Sequence, residues 1–387
     1  MSKAKAARPK AKRAGAGKGR AARPAPKYRL FTPGPVQVPD DVMAVMSAPL
    51  VYHREESFCK LYAAVQKNLQ RLMVTKNEVF VLTSSGTGGM EAAVANLVLP
   101  NETALIATAG RFGERWRELA IRFGAHIDVL SRPYGETLPP VEVERALLGN
   151  DSIKCVFTTL TETSTGVRHD IKAIGEICRR LNRLLVVDAV AGLGADELRM
   201  DDWHVDCVVG GSQKAVGVPP GLAFIALSER AWELAARARG TRFYFDLKAY
   251  RKYAAKGQTP WTPAISLFYA LDVGLRNSLA RGVAGCWAAH KRMAQEVRGK
   301  LAGLKLEMFP HSPSDALTVY KMPAGVDGVK VIELCKQDGF LFANGQGEMR
   351  GKVVRIGHMG PVNPAAMARA LQSFKRNYLK VAGRRAK

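Results

Sequence analysis

Apolar positions recur along the chain in two rhythms. From residue 28 onward, short apolar runs of strand length alternate with stretches whose apolar residues fall three and four positions apart. NEVFVLTSS predicts a strand, and GTGGMEAAVANLVLP, with Met90, Ala93, Val94, Leu97 and Val98 at helical spacing, predicts the helix after it. TALIATA, FGERWRELAIRFG and HIDVLS repeat the pattern as strand, helix and strand. VEVERALLG, KCVFTTL, IKAIGEICRRLN, LLVVDAV and VDCVVGG continue it, and GLAFIALS and ERAWELAARAR add a strand and a helix. This succession predicts an α/β fold with a mainly parallel sheet flanked by helices, whose ligands collect at the carboxyl ends of the strands. After about residue 285 the spacing loosens into helix, strand and helix segments ending in VVRIG and AAMARALQSFKRNYL. A large domain over 28–284 and a smaller C-terminal α/β domain over 285–387 are therefore expected.

The first 27 residues follow neither rhythm. They hold ten Lys or Arg, no acid, and no Leu, Ile, Val or Phe. A segment with nothing to bury is expected to be disordered. Its charge suits contact with nucleic acid or another polyanion, and equally suits a solubilising extension. Of the chain's net charge of +24, this segment carries ten, leaving 48 basic against 34 acidic residues in the rest. Across all 387 residues, 47% hydrophobic and 24% charged is ordinary globular composition. No apolar run approaches the roughly 20 residues that span a bilayer, so no membrane contact is expected and the default compartment is the cytosol. Six scattered cysteines, with no C-x-x-C pair and no histidine at ligand spacing, read as reduced thiols and predict no metal site.

The strand ends carry the chemistry. In TSSGTGGMEAA, Ser84, Ser85, Gly86, Thr87, Gly88 and Gly89 stand where a strand turns into a helix. Free N–H groups and the positive end of the helix dipole there suit a phosphate, although such a turn also serves as a plain tight turn. LLVVDAV ends in Asp188, which by itself reads as a helix cap or a paired carboxylate. GGSQKAVGVPPG places Lys214 after the next strand, 26 residues later, at the same expected edge. A phosphate cradle, an acid and a lysine in one place suit pyridoxal phosphate, whose aldehyde needs a lysine, whose ring nitrogen needs a carboxylate and whose phosphate needs donors.

FTPGPVQVP, SSGTGGMEAA, TETSTGV, VVDAVAGLG, GGSQKAVGVPPGLAF, GQTPWTPAISL and GKVVRIGHMG occur in that order. Together they resemble the class V aminotransferases of the fold-type I pyridoxal 5′-phosphate enzymes, in the branch of the alanine–glyoxylate and serine–glyoxylate aminotransferases. The resemblance runs from about residue 28 to about 378. It implies that Lys214 holds the cofactor aldehyde and moves the substrate proton, and that Asp188 pairs with the ring nitrogen. It implies that Ser85, Gly86 and Thr87, helped by Gln213, hold the phosphate, that Phe112 stacks on the ring and that Thr163 stands near it. Without the resemblance, Phe112 is an ordinary core residue and Arg355 a surface arginine. With it, Arg355 grips the substrate carboxylate, and Pro33 and Gly34 border the substrate. The resemblance further implies a homodimer with shared sites, in which Gln258 and Thr259 reach the partner's phosphate. Amino transfer from alanine or serine to glyoxylate or pyruvate, in two half-reactions, is the implied activity.

Other activities occur on such a fold. A cysteine desulfurase needs a mobile nucleophilic cysteine, and Cys335, inside the helix-like VIELCKQDG, fits that role poorly. Aminoethylphosphonate transamination would need a further cationic cluster, and none is visible near the motifs. A polyanion-binding protein using the basic segment is the reading from a different class. No second arginine for a dicarboxylate stands out among the 58 basic residues.

Overall fold

The computed structural model describes residues 28–238 and 240–383. The basic segment 1–27, with its expected disorder and polyanion contact, lies outside the described residues.

Five strands run parallel in the order Cys207–Gly211, Leu184–Asp188, Ile153–Thr159, Thr103–Thr108 and His126–Ser131. Beyond Cys207–Gly211 the sheet continues through Leu222–Leu227, antiparallel to both its neighbours, and ends at Val79–Thr83. The sheet is mainly parallel, as the alternation predicts. Its inner strands are apolar throughout because helices cover both faces. Val156, Val187 and Val208 meet Phe58, Val65 and Leu271 in one core, whereas Phe157, Val186 and Val209 meet Met90, Val94 and Trp116 in the other. Successive strand residues point to opposite faces, so each core takes every second residue.

The register decides where the site forms. Thr83 pairs with Leu222, Ala223 with Gly211, and Val209 with Asp188. The chain therefore leaves the sheet at one edge through Ser84, Asp188 and Gly211.

Farther along, Leu317–Lys321, Val353–Gly357 and Ala343–Asn344 make a three-stranded antiparallel sheet. Helices Gly282–Leu301, Gly328–Gln337 and Pro364–Val381 bury Val297, Val331, Leu371 and Phe374 in a separate cluster beside it. The expected boundary at 284 falls inside helix Gly282–Leu301. Residues 29–31 join this region, since Arg29–Leu30 pairs with Phe340–Leu341 and the Gly357 N–H donates to the Phe31 carbonyl at 2.7 Å. No helix among the described residues is long and apolar enough to cross a membrane.

Candidate active site

The turn after Val79–Thr83 opens helix Gly86–Leu97 without a side-chain cap from Ser85, although Ser84 Oγ donates to the Ser85 carbonyl at 2.7 Å. The first N–H groups of a helix have no acceptor within it, and the helix dipole adds positive potential there. Gly86 and Thr87 line a cavity of about 280 Å³ with that unspent end.

Across the cavity stands Asp188, buried at the end of its strand, its carboxylate accepting the Val190 N–H at 2.8 Å. Burial pushes its pKa up to about 6; the Val190 bond opposes this, the Glu162 charge adds to it, and Lys214 and Arg115 pull it down. Lys214 extends from the loop after Cys207–Gly211, and its Nζ donates to the Pro33 carbonyl at 2.5 Å. Burial lowers its pKa to about 8 against the upward pull of Asp188, with Arg355 and Arg115 pushing the same way as burial. Gly34 sits at a φ of +111°, and a Cβ there would meet Lys214 Nζ at 2.5 Å, so only glycine lets the two segments approach.

Phe112 lies in the first turn of helix Arg111–Arg122, whose N-cap, Gly110, has no side chain to offer. Glu162 substitutes from another strand: its Oε2 accepts the Phe112 and Gly113 N–H groups at 2.9 and 3.1 Å, and its Oε1 accepts from Ser164 N and Oγ. This carboxylate is buried, and burial raises its pKa in spite of those donors. Thr163, next to it, accepts from Arg355 Nη1 at its carbonyl, 2.9 Å away, while Arg355 Nε donates to the Asn344 carbonyl at 2.7 Å. Burial lowers the Arg355 pKa to about 10, with Glu162 acting in the opposite sense, so the guanidinium stays charged.

The cavity wall thus brings together Gly34, Ser85, Gly86 and Thr87 with Phe112, Thr163, Asp188, Gln213 and Lys214. Pro33 contributes its carbonyl to Lys214, and Arg355 stands behind Thr163. Gln258 and Thr259 are not in this wall; Arg54 Nη1 holds the Gln258 Oε1 and the Thr259 carbonyl at 2.9 and 2.8 Å. Sequence reasoning passed over Arg115, which also lines the wall and lies at i+3 from Phe112, a spacing that puts both on one helix face. It passed over Glu162 too, although TETSTG contains it. Cys335 is buried, its thiol pushed up to about 11 by that burial. No group of three or more His, Cys, Asp or Glu among the described residues is arranged to hold a metal ion.

These residues fit pyridoxal phosphate. Gln213 Oε1 is buried without a partner among the described residues, and the amide's two donors, on Nε2, belong to a side chain that lines the same cavity as the open helix end. Asp188 faces the same cavity as an acid whose ionised form lacks water and gains from a cationic partner. Lys214 completes the set with an amine near its neutral form.

Comparison with known proteins agrees with this reading. The family model described as aminotransferase class V matches residues 30–346. The chain is 36% identical over 355 residues to a protein named as the small subunit of a soluble hydrogenase of Synechococcus sp., covering 90% of this chain and 92% of that one. It is 34% identical to the L-aspartate–glyoxylate aminotransferase of Paracoccus denitrificans, over 87% of each. Among solved structures, it is similar to the ureidoglycine–glyoxylate aminotransferase of Bacillus subtilis, with a TM-score of 0.89 and 31% identity over 94% of this chain and 96% of that one.

Proposed function

The chain belongs to the class V aminotransferases, and on that premise we propose that it moves the amino group of a small L-amino acid, serine or alanine, to glyoxylate, with pyruvate as the alternative acceptor. It is a transaminase, and its cofactor is pyridoxal 5′-phosphate. The observation that carries amino transfer at this site is Lys214 Nζ sharing one small cavity with Asp188 and the open helix end.

When bound, the cofactor supplies an aldehyde that condenses with the donor amine and a ring that takes up the electron pair released at Cα. Lys214 Nζ, with a pKa close to neutrality, accepts the Cα proton and returns it in the opposite half of the cycle. The Pro33 carbonyl keeps that nitrogen from swinging away. Asp188 would hold the proton on the ring nitrogen, its own hydrogen bond from Val190 fixing the carboxylate in place. Ser85, Gly86, Thr87 and Gln213 would hold the phosphate, Phe112 would cover the ring, and Thr163 would stand beside it. Arg355 is tied to two carbonyls before any substrate arrives, so its remaining donors meet the α-carboxylate already oriented. Glyoxylate as acceptor draws on the names of the Paracoccus and Bacillus relatives.

The same reading makes the protein a cytosolic homodimer, with a cofactor-carrying domain over 28–284 and a smaller one over 285–387. Gln258 and Thr259 would then serve the partner's cofactor phosphate. In support, the loop beside them carries Trp261 stacked on Phe243, a ring left 76% exposed in the single chain. Contact of residues 1–27 with a polyanion rests on their charge alone.

The test is to load the protein with pyridoxal phosphate and add L-serine or L-alanine. The visible absorption of the bound cofactor should bleach with the donor and return when glyoxylate is added, as glycine accumulates. Cofactor bound but unmoved by every amino acid would overturn the assignment.

A further inference from the structure

One arginine separates itself from the other basic side chains. Arg115 lines the inner cavity with Lys214 and Asp188, and it also lines an outer cavity of about 760 Å³ walled by Arg111, Glu114, Tyr134 and the turn 346–349. It is the residue the two walls share.

Its neighbours on the helix are already engaged. Arg111 faces Glu114 and Glu118 at 3.4 and 3.5 Å, and Glu114 accepts the Tyr134 hydroxyl at 2.7 Å. Arg115 meets no carboxylate among the described residues. Its Nη1 donates to Thr87 Oγ1 at 3.1 Å, and its guanidinium lies over the Phe112 ring, 4.9 Å from the centroid. That uses one of five donors and one face of a planar cation. The remaining donors border the two cavities. Arg355 is anchored by the Asn344 carbonyl, two residues before the turn that walls the outer cavity. Both guanidiniums act on Lys214, and neither has a carboxylate partner among the described residues.

Resting on the amino-transfer reading above, we propose that Arg115 binds the distal carboxylate of a dicarboxylic amino donor of the aspartate class, while Arg355 takes its α-carboxylate. This widens the donor range beyond serine and alanine. Ser85, Gly86, Thr87 and Gln213 line only the inner cavity, whereas Arg115 reaches the outer one as well, so it is assigned to the substrate side and not to the cofactor phosphate. Arginine suits the task because its planar fork meets a carboxylate with two parallel hydrogen bonds.

The test uses the full chain loaded with pyridoxal phosphate, in the natural form and as Arg115→Gln and Arg115→Lys. Maleate, which carries two carboxylates and no amine, and propionate, which carries one, are titrated by calorimetry, so binding is read without turnover. The natural protein should bind maleate about tenfold more tightly than propionate, and Arg115→Gln should erase that preference. In turnover, Arg115→Gln should lower kcat/KM for L-aspartate about a hundredfold and for L-alanine only a few-fold, with Arg115→Lys between. Circular dichroism and Tm establish that the variants fold. Equal affinity for the two probes in the natural protein, or equal losses for the two donors, overturns the proposal. So does weakened pyridoxal phosphate binding in Arg115→Gln without loss of the maleate preference, which would hand the residue to the phosphate. A natural protein that prefers maleate yet transfers no amino group would sink the activity and leave this anion site standing.

Discussion

Four helices at a distance from the cavity begin differently from the two that border it, although Glu56–Met73 and Pro140–Gly149 also lack a side-chain cap. Ile171–Arg180, Glu229–Arg237, Gly328–Gln337 and Pro364–Val381 are capped by the residue just before them: Asp170, Ser228, Asp327 and Asn363 each accept a backbone N–H of the first turn. Gly86–Leu97 receives no side-chain cap, and Arg111–Arg122 starts at a glycine and is closed by Glu162, some 50 residues away. A local cap spends the helix end on its own stability. An end left open keeps its donors for an outside anion, and an end closed from afar ties the helix to whatever carries the cap. In the second case, Phe112 is fixed relative to Thr163 through a single carboxylate.

The comparison can be broken at four places. Lys214→Ala should cut amino transfer by about four orders of magnitude, measured as glycine formed from glyoxylate, because the proton carrier is lost. Activity within tenfold of the natural protein would detach the chemistry from this end of the sheet. Glu162→Ala should cost about 3 kcal/mol in denaturant unfolding, since it orphans buried donors at Phe112, Gly113 and Ser164. It should also weaken pyridoxal phosphate binding; unchanged binding would mean that the remote cap serves stability alone.

The third place is pH. Lys214 has a folded pKa of about 8 against an ordinary 10.5, so between those values the unfolded chain keeps a proton that the folded one has released. Stability of the cofactor-free protein should therefore rise with pH across that window, by on the order of 2 kcal/mol. Asp188, raised from 3.8 to about 6, acts in the opposite sense: the folded chain keeps its proton longer, and stability should fall as pH rises through that range. Lys214→Met should flatten the alkaline rise, and a rise of equal size in that variant would remove Lys214 as its source. Smallest of the four, Asp170→Ala should cost about 1 kcal/mol and leave cofactor affinity as it was.

Much of the fold was legible because the central strands are apolar along their whole length and the helices between them keep one apolar stripe. Asp188 and Lys214 were legible for a further reason: each stands just past such a run, where strand direction alone fixes the edge. Arg115 and Glu162 were not. Thr87, which receives the Arg115 bond, is 28 residues away, and the donors that meet Glu162 Oε2 are 50 and 49 residues away, so only packing reveals what they touch. TETSTG displayed the glutamate, but its hydroxyl residues drew the reading toward Thr163. Gln258 and Thr259, which the resemblance assigns to the partner's cofactor, lie outside the wall of this chain's own cavity.

The stretch between Arg29 and Pro33 is one of several ties between two parts of the protein, beside the Arg355–Thr163 bond and the Asp196 carboxylate that holds Ser314 and Asp315. At one end it is laced to Phe340–Leu341 and, through Phe31, to the strand that bears Arg355; at the other its Pro33 carbonyl holds Lys214 Nζ. It behaves as a short tie rod. Any displacement of the smaller sheet must either carry Pro33 across the amine or give up that hydrogen bond. The grip on the substrate's carboxylate and the freedom of the proton-carrying nitrogen are thereby set by the same few residues of backbone.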